Sequence, residues 1–417
     1  MLKSFFTAFF LLLVISFANA QVEKEVLPPF NIKTISFVQN GQSTIPLFQL
    51  GDSFQLHFDD LFANEANYYY QIVHCDYDWQ PSQLSKNEYM QGFDDQRIQD
   101  YTNSYNTLQV YSHYKLQIPN KNTQLLVSGN YMLKILNEDR EVVFSRKFIL
   151  YEEIVTVDMQ VKRSRIVGTS NYKHNIELAI KSSTILFQSP LTNVKVLLLQ
   201  NGQLNTGITN IKPMYTIGND LIYKYDSQTQ FWAGNEFRFF ENKDIRAAVN
   251  NIGQIDSNGG VYNAHLYTDN ARASIQYTFA PDYNGNYIIK NLNVENNDIE
   301  ADYAWVFFSL SVPAYYGKSD IYVNGMFNNF ALSADSKMEY NAKKEVYEKA
   351  IMIKQGFTNY QYVIADKAGK IDYENAIDGN FFQTENNYFT LVYYKENNQR
   401  YDRVIGKGLA SSKDIIN

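Results

Sequence analysis

Apolar side chains recur at every second position in run after run of this chain, and that period restricts it to strands. Phe54, Leu56 and Phe58 share one face of a short run, with Gln55 and His57 opposite. Tyr131, Leu133 and Ile135 repeat the pattern after the turn-forming Ser128-Gly129-Asn130. Val155, Val157, Met159 and Val161 alternate with polar residues, and Ile176, Leu178 and Ile180 follow. Val194, Val196 and Leu198 precede an Asn201-Gly202 turn, and Val306, Phe308, Leu310 and Val312 form a later face. Sustained helical periodicity is scarce. The expectation is an all-β chain of tandem sandwiches, each burying one face of two sheets.

The ends frame that reading. Lys3, an apolar stretch at 5–17 too short to span a bilayer, and Ala18-Asn19-Ala20 make a secretory signal. Cleavage after Ala20 leaves Gln21, not Cys, so no lipid anchor is expected. The predicted units are a signal peptide at 1–20, an N-terminal sandwich at 21–152, a middle β domain at 153–293, a C-terminal sandwich at 294–396 and a tail at 397–417. The acidic segment VENNDIEAD at 294–302 is the expected linker. No later segment approaches the roughly 18 apolar residues of a membrane helix. Candidate strands carry Lys, Glu or Gln outward, unlike the lipid face of a barrel. The expectation is a soluble protein in the periplasm or outside the cell, with no direct membrane insertion. A net charge of −7 argues against nucleic acid as a partner. The lone Cys75 cannot form an internal disulfide, so stability must come from burial. With 33 Tyr and 28 Phe beside 3 Trp, aromatics fill cores and leave some for contacts.

Catalytic and metal templates find no match. None of the five histidines, His57, His74, His113, His174 and His265, has an H-x-x-x-H or H-x-x-E-H neighbour. His74 and Cys75 are adjacent, and adjacent strand residues point to opposite faces, so they cannot pair as base and nucleophile. Acids cluster at Asp59-Asp60, Asp76 and Asp78, Asp94-Asp95 and 298–302, with nothing to single out a facing pair. Asp282, Asn284 and Asn286 begin like a calcium loop, but Gly285 and Asn293 occupy the wrong positions, which leaves a turn. Lys162, Arg163 and Arg165 read as a solvated strand end. No catalytic residue, metal or cofactor is expected, nor a small-molecule ligand.

Function enters through resemblance. HCDYDW at 74–79 and GFDDQRIQDY at 92–101 resemble the signature of the type IX secretion system plug proteins of Bacteroidetes. Further blocks similar to that family lie at 129–133, 155–165, 231–236, 240–246, 298–305, 382–387 and 401–406. The resemblance implies a periplasmic protein that docks on the inner mouth of the outer-membrane type IX translocon barrel and seals it when no cargo passes. The stretch 76–101 reads as a long loop rich in aromatics, and Tyr77, Trp79, Tyr89 and Phe93 are the expected partner contacts. The region 322–363 resembles the early-set, immunoglobulin-like sandwiches of glycogen- and starch-binding modules, with Phe and Tyr where those modules stack sugars on Trp. The alternative function is therefore carbohydrate binding through this module, which exposed Phe327 and Phe330 would favour.

Overall fold

Strands make up nearly all the regular structure of the computed structural model, which describes residues 21–312 and 319–415. The expected signal peptide at 1–20 lies outside the described residues. The first sandwich sets a sheet containing Ile32–Gln39, Phe54–Asp60 and Ser112–Ile118 against one containing Tyr69–Cys75, Gly129–Leu136 and Val142–Tyr151. Alternation delivers Phe54, Leu56 and Phe58 to one shared core with Tyr131, Leu133 and Ile135. Phe48 stacks on Phe54 with ring centroids 4.0 Å apart, and Phe58 stacks on Tyr114 at 5.0 Å. Such pairs contribute about 0.5–1.5 kcal/mol each beyond their burial.

The second sandwich is closed from far along the chain. Its one sheet holds Thr156–Arg163, Lys173–Lys181, Gln230–Trp232, Asp220–Tyr223 and Tyr215–Ile217. The other joins Val194–Gln200 to Asn387–Tyr394 and then Arg403–Ser411. Tyr388, Val392, Tyr394 and Ile405 share a core with Ile176, Leu178, Val194 and Val196. His174 fastens the returning segment: Tyr388 Oη donates to its Nδ1 at 2.7 Å, and its Nε2 donates to Phe382 O at 2.7 Å. The expected boundary at 396 and the expected tail therefore give way to strands of the middle unit. Polar residues on Arg403–Ser411 hide its apolar partners Val404 and Ile405, both fully buried.

The third unit is inserted between those halves. Tyr303–Ser311 and Val346–Lys354 pair in one sheet, while Gly356–Ala365 pairs with Arg238–Glu241, Tyr287–Ile289 and Asp320–Asn324 in the other. The Gln355-Gly356 step is thus a corner where the chain changes sheets. Gly356 has φ +157°, and a Cβ there would lie 1.9 Å from Ile288 O, so only glycine fits. Because Arg238–Glu241 and Ile252–Asp256 belong to this unit, it begins well before the expected boundary at 294. No helix among the described residues is long and apolar enough to cross a membrane.

Two seams lock the units. Leu47, Ile149 and Tyr151 of the first sandwich pack on Leu197, Leu199, Leu391, Tyr393 and Val404 of the second. Gly202 turns there with φ +73°, where a Cβ would lie 2.5 Å from Ile45 Cγ2 of the first unit. At the other seam the expected linker is docked, not free. Tyr111 Oη donates to Ala301 O at 2.8 Å, and the Asp302 carboxylate accepts from Leu108 N at 2.6 Å and Gln109 N at 3.1 Å. Its acids find donors across the seam, which is why they are not a solvated spacer. Beneath them Asp59, fully buried, accepts from Lys354 Nζ at 2.7 Å, Tyr303 Oη at 2.6 Å and His113 Nδ1 at 2.5 Å. Burial works against the Asp59 charge, but Lys354 and His113 outweigh it and hold the carboxyl below the ordinary aspartate range.

Removing one member of a buried ion pair strands the other, at a cost of about 3–5 kcal/mol. Lys354→Met should lose stability on that scale in urea unfolding, whereas a loss below about 1 kcal/mol would show that Asp59 is not held by this pair. Stability should also fall in mild acid. Burial pushes the His74 and His174 imidazoles down to about 4. Unfolded histidine titrates near 6.5, so between these values the unfolded chain binds more protons and unfolding is favoured as pH drops. Each histidine contributes up to about 1.4 kcal/mol per pH unit across that window. Urea midpoints should decline from about pH 6.5 to about pH 4, and His174→Gln should make the decline shallower.

Candidate interaction site

The aromatics expected to meet a partner are placed by the first seam. The strand Tyr69–Cys75 ends in HCDYDW, and that turn sits on Tyr401-Asp402-Arg403. Asp76 Oδ1 accepts from Asp402 N at 3.1 Å, and Tyr77 N donates to Asp402 Oδ2 at 3.1 Å. Tyr77 Oη donates to Val196 O at 2.8 Å, and its ring meets the Tyr393 ring edge-on at 4.8 Å. Trp79 is half-buried in the same seam, with Lys147 Nζ 4.3 Å above its ring. Tyr89 belongs to the first core, donating to Ile72 O at 3.1 Å, and burial pushes its phenol up to about 12. Phe93 alone of the four turns outward, at 73% exposure. The stretch 76–101 is not a bare loop either: it folds into the helix Lys86–Tyr89 and the strands Met90–Gly92 and Gln96–Arg97. The acids of GFDDQR anchor it, Asp94 Oδ2 accepting from Ile72 N at 2.8 Å. Tyr77, Trp79 and Tyr89 therefore hold the molecule together, because burial and backbone hydrogen bonds already use them.

Another surface was not anticipated. Phe62, Tyr105, Leu108 and Val110 are 66%, 69%, 48% and 52% exposed. Gln109 Nε2 donates to Leu61 O at 3.1 Å, which draws their two loops together. Tyr105 N donates to Ile299 O at 2.9 Å, so the patch rests on the second seam. Grouped exposed apolar side chains mark contact surfaces more than scattered ones do. Sequence period could not find it, since these residues lie in loops without alternation.

The chemistry-bearing residues are mostly consumed inside the fold. Burial raises the Cys75 thiol to about 12, and His74 is occupied by Ser82 and Ser128. Asp60 is buried under Asn31 and Tyr68, and Lys162 and Arg165 both pair with Glu177. Asp282 accepts from Asn284 N at 2.7 Å within its turn. Phe327 packs on the third core and Phe330 meets Phe237 edge-on, both half-buried. One cluster departs from the expectation of no metal site: His57, His113 and Asp298 bring potential ligand atoms within 4.8 Å of one another. Spacing rules miss it because strand pairing, not helical proximity, joins the histidines. The legible signal was parity, since His57, Asp59, His113 and Lys115 fall on one face of two adjacent strands.

Comparison with known proteins agrees with those of the blocks quoted above that lie in the first sandwich. Residues 32–152 match the family model of the type 9 secretion system plug protein 1st domain. A crystal structure of a hypothetical protein from Parabacteroides merdae is 32% identical, with a TM-score of 0.89 over 94% of this chain and 100% of that one. No curated protein matches the chain. The first sandwich thus carries the family's own domain, and the whole three-unit arrangement has a solved relative of the same extent. The chain belongs to the type 9 secretion system plug protein family.

Proposed function

We propose that this chain is a non-catalytic plug that rests in the periplasm against the inner mouth of the type 9 outer-membrane translocon barrel and closes it when no cargo passes. The family match over the first sandwich carries this reading. The physics of the fold supports it. A cover for a wide pore must resist deformation, and here three sandwiches are tied by an apolar seam and by a buried ion pair. A cover must also leave, so its contact should be moderate in area and partly polar. Phe93 and the group Phe62, Tyr105, Leu108 and Val110 supply the apolar part of that contact. Phe327 and Phe330 are both half-buried, so they are not the exposed pair that would favour the carbohydrate alternative.

Cells lacking the chain should admit large hydrophilic solutes, such as glycopeptide antibiotics, that the outer membrane excludes. Deleting the barrel as well should abolish the leak. Phe62→Asp with Leu108→Asp should reproduce part of it at unchanged melting temperature, since exposed substitutions usually shift stability by less than about 0.5 kcal/mol. A leak that persists without the barrel would overturn the proposal. So would a deletion strain as tight as the parent.

A further inference from the structure

We infer that His57, His113 and Asp298 form a binding site for a divalent transition-metal cation of the zinc class, placed to clasp the third unit to the first. Antiparallel register sets Asp59 opposite His113 and His57 opposite Lys115, so the two imidazoles lie diagonally on one sheet face with ring centroids 5.1 Å apart. Asp298 comes from the third unit, on the short helix Asn297–Glu300. Its Oδ2 lies 3.7 Å from His113 Nε2, and the three donor atoms fall within 4.8 Å of one another. Tetrahedral zinc, with bonds near 2.1 Å, sets its donors about 3.4 Å apart, so small side-chain rotations close the set.

The supporting contacts are those a metal site needs. His113 is 3% exposed, and its Nε2 has no hydrogen-bond partner. Its Nδ1 lies 2.5 Å from the Asp59 carboxylate, which Lys354 and Tyr303 fix in turn. That pairing is the carboxylate–histidine arrangement that orients a ligating imidazole and strengthens its free nitrogen as a donor. His57 is set similarly: its Nε2 lies 2.8 Å from Gln55 Oε1, an acceptor, which leaves the lone pair on Nδ1. Two imidazoles and one carboxylate, with water as a fourth ligand, suit zinc rather than a hard cation such as calcium. Two cations oppose the ion: Lys354, whose Nζ is held by Asp59 Oδ2 at 2.7 Å and Asp298 O at 2.6 Å, and Lys115. Lys115 Nζ lies 2.6 Å from Asp298 Oδ2. Its side chain is 30% exposed on a flexible stem, so it can swing to solvent, at a cost in affinity. The competing use of the same geometry is metal-free, with the His113 ring simply held between Asp59 and Asp298.

The two uses separate by titration. Full-length mature protein, stripped with a chelator and titrated with zinc sulfate in a calorimeter, should bind one ion per chain and melt at a higher temperature with zinc. Asp298→Asn and His57→Gln should each weaken binding by at least about tenfold. His265→Gln, at a histidine paired elsewhere with Asp256, should leave it unchanged. Lys115→Gln is the decisive variant, because it removes the cation paired with the Asp298 carboxylate and should tighten zinc binding several-fold. No stoichiometric uptake by either the wild type or Lys115→Gln would overturn the site, as would uptake that survives Asp298→Asn and His57→Gln. The site stands or falls independently of the plug reading.

Discussion

Pairing of Asn387–Tyr394 with Val194–Gln200 on one side and Arg403–Ser411 on the other decides the architecture. Without that return the middle core loses Tyr388, Val392, Tyr394 and Ile405, and half its sandwich is missing. The same three strands turn their opposite face, Leu197, Leu199, Leu391, Tyr393 and Val404, onto the first sandwich. One strand pairing therefore completes a domain, builds the first seam and fixes both ends of the inserted third unit. The entropy of closing so long a loop grows only with the logarithm of its length, so two apolar faces suffice to offset it.

Much of the fold was legible in the period of two. Phe54, Leu56 and Phe58, or Ile176, Leu178 and Ile180, announce their buried faces, because a half-buried strand has no other way to satisfy both sides. What alternation cannot say is what covers the polar face. His57 was read as outward, and it is outward from its own core, yet the third unit closes over it and over Asp59. The same gap hid the return of the chain, since local pattern carries no information on which distant strand supplies a partner. Two strands flank Gln355-Gly356 at the spacing of a hairpin, and only packing shows that they enter different sheets.

Three of the residues expected at a partner contact serve internal packing, Tyr77 and Trp79 in a seam and Tyr89 in the first core. Tyr77, Trp79 and Tyr89 are the residues an interface would favour, and a seam between domains is such an interface within one chain. Three of the stretches that carry the family resemblance lie at joints: HCDYDW meets Tyr401-Asp402-Arg403, and 298–305 meets Tyr111 and Asp59. They encode how three sandwiches assemble more than what the assembly touches. A plug needs that rigidity before it needs any particular surface residue, and it needs no active site.

Mutually exclusive occupancy of the channel tests the account most directly. Translocon barrels should be purified through their own tag, with and without a cargo protein arrested in the pore, and this chain quantified in each. The account predicts that the chain accompanies empty barrels and is depleted from cargo-filled ones. Equal amounts in both preparations, or absence from both, would contradict it.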